Sequence, residues 1–123
     1  MRVLVVDDDP DLSMLMALVL SHQGGHAVDT AGDGVEALER LDDAEYDLVV
    51  LDWNMPRLDG LGLCAAIRSD QDRSDLPLLM VTALPDHARA RASGIDQVLG
   101  KPFSNSALVD AVDGLLGRRA CGR

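Results

Sequence analysis

Val3-Leu4-Val5-Val6-Asp7-Asp8-Asp9-Pro10 decides how the rest of the chain is read. Its β-branched and leucine run shows no polar alternation, the mark of a strand covered on both faces as in a parallel sheet. Three carboxylates follow at once. Asp9-Pro10 then has the form of a helix N-cap and a first helical position.

The same grammar recurs outward from this stretch. Asp47-Leu48-Val49-Val50-Leu51 and Pro77-Leu78-Leu79-Met80-Val81 are further apolar runs, and Ile95-Asp96-Gln97-Val98-Leu99 is a fourth. His26-Ala27-Val28-Asp29-Thr30 alternates, which suits an edge strand. Helical patterns separate the runs. The first passes through Leu12, Leu15, Met16, Val19 and Leu20 to Gly24-Gly25; the second opens at Asp33 and passes through Val35, Leu38 and Leu41. Leu61 to Ile67 gives a third, Asp86 to Ser93 a short fourth, and Ser104 caps a fifth through Leu108, Val112, Leu115 and Leu116. Strand then helix therefore repeats five times. Short connections and right-handed crossovers predict an α/β fold, a (βα)5 doubly wound parallel five-stranded sheet in the flavodoxin-like order 2-1-3-4-5, with helices on both faces.

Composition narrows the function. The chain has 123 residues, the size of one domain, with 47% hydrophobic and 26% charged residues, which supports a packed core. A net charge of −10 with no basic stripe argues against direct nucleic-acid binding. No apolar run reaches the roughly 20 residues needed to span a bilayer, and no signal-peptide pattern precedes Asp7, so a cytoplasmic protein without membrane contact is expected. Cys64 and Cys121 lack metal-ligand spacing and read as free thiols. Ten of the basic residues are arginine, and Lys101 is the single lysine. His22, His26 and His87 read as surface or turn residues, Met14, Met16 and Met80 as core, and Asp42-Asp43 with Asp70 to Asp75 as solvated loops.

In a doubly wound sheet, ligands bind beyond the carboxyl ends of the strands. That places Asp7-Asp8, Asp52, Thr82-Ala83 and Lys101-Pro102 together. No Gly-rich phosphate loop follows the first strand, which argues against nucleotide binding. Carboxylates gathered on adjacent strand ends repel one another unless a cation or a proton relieves them. Oxygen-only ligands favour a hard ion such as Mg2+. Aspartate is an established nucleophile in phosphoryl transfer, and metal, the Lys101 ammonium and the Thr82 hydroxyl could each take one oxygen of a phosphoryl group carried by Asp52.

At these residues the chain resembles the receiver domains of two-component response regulators. The matching segments are Val5-Val6-Asp7-Asp8-Asp9-Pro10, Leu51-Asp52-Trp53-Asn54-Met55-Pro56 with Asp59-Gly60, Val81-Thr82-Ala83 and Lys101-Pro102-Phe103, in order over nearly the whole chain. Asp52-Trp53-Asn54-Met55-Pro56 looks most like chemotaxis-type receivers. The resemblance implies Asp52 as phosphoacceptor, Asp8 as a direct Mg2+ ligand, Asp7 as a ligand through water, and Asn54 as a ligand through its backbone carbonyl. It further implies Thr82 as a switch hydroxyl, Lys101 as the phosphoryl counter-ion, a cis Lys101-Pro102 bond, and a small Ala83 leaving the site open. The implied partners are a histidine kinase or phosphotransfer protein, which supplies the phosphoryl group, and a downstream protein target. Such a domain is a signalling switch and catalyses only its own phosphorylation and dephosphorylation.

The sequence departs from this family pattern in three places. Val98 stands where the family usually has an aromatic, and the span from Thr82 to Lys101 is short, so the fourth helix should be about two turns, with Leu84-Pro85 crowding its start. Residues 1–117 read as the domain and 118–123 as a short polar tail, giving the expectation of a stand-alone receiver with no output domain. Two alternatives remain. A phosphate-independent receiver-like interaction module would fit Val98, and an aspartyl-nucleophile phosphatase would need a second acid where Asn54 stands.

Overall fold

The structure, a computed structural model, describes residues 1–53, 57–83 and 87–121. Its elements alternate: β1 (Arg2–Val6), α1 (Pro10–His22), β2 (Ala27–Ala31), α2 (Gly34–Asp43), β3 (Leu48–Asp52), α3 (Gly60–Ser69), β4 (Leu78–Thr82), α4 (His87–Ala92), β5 (Gln97–Gly100) and α5 (Asn105–Cys121). All pairings are parallel in the order β2-β1-β3-β4-β5, as the apolar runs predict. The alternating segment is indeed an edge strand, while β1, β3 and β4 lie inside the sheet.

Side-chain alternation along the strands divides the core in two. Leu4, Val6, Val49, Leu51, Leu78 and Met80 face α2, α3 and α4, where they meet Ala37, Leu63, Ile67 and Ala90. Val3, Val5, Val50, Leu79 and Val81 face α1 and α5, where they meet Met16, Leu20, Leu108 and Val112. Both faces of the central strands are therefore dry, which is why their sequence shows no alternation.

The caps fall where the residue types ask for them. The Asp9 carboxylate accepts from the N–H groups of Asp11 and Leu12, that of Asp33 from Glu36, and Ser104 Oγ from Ala107. Asp59 caps α3 in the same way through Gly62. Each supplies an acceptor to the otherwise unpaired first-turn donors.

Several expectations are corrected. Met14 is 64% exposed and Leu15 49%, because α1 turns Ser13, Met16, Val19 and Leu20 inward instead; Met16 and Met80 are buried as expected. His26 is no surface residue: its ring is tucked in and its Nε2 lies 3.0 Å from Asp113 Oδ1 on α5. Asp42 and Asp43 end α2, and Arg73 draws Asp42 and Asp70 together, so these acids are partly structured by ion pairs. The β5 strand starts later than read, because Asp96 turns its carboxylate onto the Leu78 N–H and Arg68. The fourth helix is short as expected, with six described residues.

Candidate functional site

The carboxyl ends of β1 and β3 meet at the point where strand order reverses. Val6 pairs with Leu51, so Asp7 and Asp52 are the next residues along two neighbouring strands. Gly60 allows the return of the chain there: its N–H donates to Trp53 O at 2.9 Å, and a Cβ on it would stand 2.3 Å from Asp52 O. Only glycine lets α3 begin this close to the strand end.

Oxygens of Asp7, Asp8 and Asp52 lie within 4.8 Å of one another, a group that could hold a metal ion. Asp7 is almost fully buried, Asp52 half-buried and Asp8 exposed. Lys101 approaches from the end of β5, its Nζ 3.5 Å from Asp52 Oδ2 and 3.6 Å from Asp7 Oδ2. It is fixed there by its own N–H, which donates to Thr82 O at 2.8 Å, and a cis bond joins it to Pro102. Thr82 closes β4 and is buried, with Ala83 exposed beside it.

The Asp7 carboxyl is held above its ordinary proton affinity. Burial is the main cause, reinforced by the charges of Asp52 and Asp8 and opposed by the Asp9 N–H and Lys101. Its Oδ1 accepts from Asp9 N–H at 2.9 Å, while its buried Oδ2 has no hydrogen-bond donor among the described residues. A partly buried, oxygen-rich carboxylate cluster with an unsatisfied Asp7 oxygen is what a hard divalent cation relieves. The oxygen-only donor set of Asp7, Asp8 and Asp52 fits a hard divalent cation such as Mg2+.

A family model described as a response regulator receiver domain matches residues 3–113. The chain belongs to the response regulator receiver domain family. Among relatives, it is 33% identical over 121 residues to chemotaxis protein CheY-3 of Vibrio cholerae, covering 96% of this chain and 93% of that one. It is 36% identical over 120 residues to the DNA-binding dual master transcriptional regulator RpaA of Synechocystis, covering 95% of this chain and 49% of RpaA. The chain thus spans about half the length of the first curated relatives it matches. Among solved structures, chemotaxis response regulator CheY4 of Vibrio cholerae superposes with a TM-score of 0.87 at 30% identity, covering 93% of this chain and 97% of that one.

Of the predicted site residues, Asp7, Asp8 and Asp52 form a cluster, Lys101 lies against two of them, and Thr82 ends the adjoining strand. Asn54 and Leu84-Pro85 lie outside the described residues. Val98 is half-buried against the α2, α3 and α4 side of the core and has no ring to swing. Sequence reasoning missed two contacts beside the site. Arg89 of α4 stands over the Trp53 ring, Cζ 5.6 Å from its centroid, and Arg57 pairs with Asp33. Neither pair has a spacing that announces it, since both join residues on different elements. Among the described residues no helix is long and apolar enough to cross a membrane.

Proposed function

We propose that this receiver is a phosphorylation-driven switch of a two-component relay, with Asp52 as the acceptor. The observation that carries the reading is Lys101 Nζ at 3.5 Å from Asp52 Oδ2, beside a carboxylate cluster whose oxygens lie within 4.8 Å. An Asp52 oxygen attacks the phosphorus of a phosphohistidine. The O–P bond forms, the P–N bond breaks, and the imidazole leaves as the neutral base after taking up a proton. The Lys101 ammonium neutralises one phosphoryl oxygen, and the Thr82 hydroxyl donates to another. Mg2+ held by Asp8, by Asp52, by Asp7 through water and by the Asn54 carbonyl would supply charge neutralisation for the remaining oxygen.

The donor would be a histidine kinase or phosphotransfer protein in the cytoplasm, and the output a changed protein-binding surface rather than DNA contact. With Val98 in place of an aromatic, movement of Thr82 has to reach that surface through the β4–α4 connection. Intact-mass measurement with acetyl phosphate and Mg2+ tests this reading. One phosphoryl group on the parent and none on Asp52→Asn is expected. A chain that stays unlabelled, with its fold intact, would favour the phosphate-independent module.

A further inference from the structure

Arg57 has a φ of 64°, in the left-handed region that side chains other than glycine, asparagine and aspartate rarely occupy. Something must hold it there. Its Nε lies 2.8 Å and its Nη2 2.7 Å from the same oxygen, Asp33 Oδ2. The other oxygen of Asp33 accepts the Glu36 N–H at 2.8 Å and so starts α2. One carboxylate therefore both caps a helix and grips the connection that follows the acceptor strand.

The next residues continue the clamp. Leu58 O accepts the Gly34 N–H at 3.2 Å, and a Cβ on Gly34 would stand 2.5 Å from that oxygen. Asp59 caps α3, and Gly60 rests directly on the Asp52 carbonyl. The path from α2 to the backbone of Asp52 thus runs through Asp33, Arg57, Leu58 and Gly60.

We infer that Arg57 and Asp33 are positioning residues for phosphoryl acceptance: their ion pair holds Arg57 in its left-handed backbone, and through it the segment against which Asp52 is seated. The inference rests on the receiver reading, and it adds a pair of residues remote from the reacting atoms that sets how well Asp52 is presented. Holding a nucleophile in place is a large part of catalysis in phosphoryl transfer, where small displacements are costly.

The test measures the rate of mass gain from acetyl phosphate across a range of Mg2+ concentrations, with Tm recorded alongside, for the parent, Arg57→Ala, Arg57→Gly and Asp33→Asn. Asparagine at 33 keeps an acceptor for the Glu36 N–H, so α2 should still form. Arg57→Ala and Asp33→Asn are expected to label roughly three- to tenfold more slowly and to need more Mg2+ for half-maximal rate, since the left-handed backbone is no longer held. Arg57→Gly should recover most of that rate, because glycine enters the left-handed region without steric cost. Variants that all label at the parent's rate and Mg2+ midpoint, whatever their Tm, would overturn the inference and leave the pair as a brace only. A parent that takes no label is a different outcome. It would remove the acceptor assignment and this inference with it.

Discussion

Replacing Asp52 by asparagine should stabilise the metal-free protein while abolishing its chemistry. The sign follows from the distances around it. At an effective dielectric near 20, the Lys101 ammonium 3.5 Å away attracts the Asp52 carboxylate by about 5 kcal/mol. Asp7 and Asp8, each with an oxygen no more than 4.8 Å away, repel it by about 3.5 kcal/mol or more apiece. Repulsion wins by about 2 kcal/mol. Partial exposure of Asp52 reduces this, so with Asp7 ionised a gain of about 1 to 2 kcal/mol is expected, or several degrees in Tm. Urea unfolding in EDTA, with parent and variant fitted to a common m-value, measures it. Added Mg2+ should shrink or reverse the difference, because a metal at tenfold its Kd stabilises the parent by about 1.4 kcal/mol while the variant has lost a ligand. A metal-free variant less stable than the parent by 1 kcal/mol or more, on the order of the gain claimed, would refute the electrostatic reasoning. So would a gain that saturating Mg2+ leaves unchanged.

Asp7 makes the metal-free protein less stable as pH rises from about 3.8 through its elevated folded value, since the folded state keeps a proton that the unfolded chain releases. Asp7→Asn should flatten that slope in urea unfolding, and Mg2+ affinity in the parent should increase over the same window as metal displaces the proton. Asp29 behaves oppositely: the Tyr46 hydroxyl, at 2.7 Å, and Arg2 hold its carboxyl below the ordinary range, so its contribution is present above pH 3.8 and is lost as pH falls through the folded value. Tyr46→Phe is expected to cost about 1 kcal/mol at neutral pH, after allowance for Asp29's partial exposure, and little in strong acid. Gly60→Ala would push a methyl group against the Asp52 carbonyl, costing about 2 kcal/mol or more by overpacking, and its labelling rate should fall even in the folded fraction.

The sheet was legible because two-sided burial leaves its mark on sequence. Val3 to Val6 and Leu78 to Val81 are apolar at every position, and in the structure every one of them is buried. Asp9-Pro10, Asp33 and Ser104 were legible because capping is local chemistry. The site was legible because strand ends in a parallel sheet share one edge, so residues far apart in the chain converge by topology alone. Where the reading failed, the missing information was not local. The α1 segment is apolar around much of its circumference, so periodicity gave no unique inner face, and packing chose Ser13 over Leu15. His26 is sheltered by Asp113, 87 positions later, and a Cβ at Gly24 would stand 2.8 Å from its ring. Arg57 and Asp33 meet across two connections, and neither residue type signals the left-handed backbone between them.

The most direct measurement of the central claim is reductive trapping of the acyl phosphate. The chain is incubated with acetyl phosphate and Mg2+, then treated with borohydride, which converts a phosphorylated aspartate to homoserine, and its peptides are mapped by mass. Conversion is expected at position 52 alone, dependent on Mg2+ and greatly reduced in Lys101→Ala. Conversion at Asp7 or Asp8 instead, or conversion at position 52 that is unaffected by the loss of Lys101 and of metal, would contradict it.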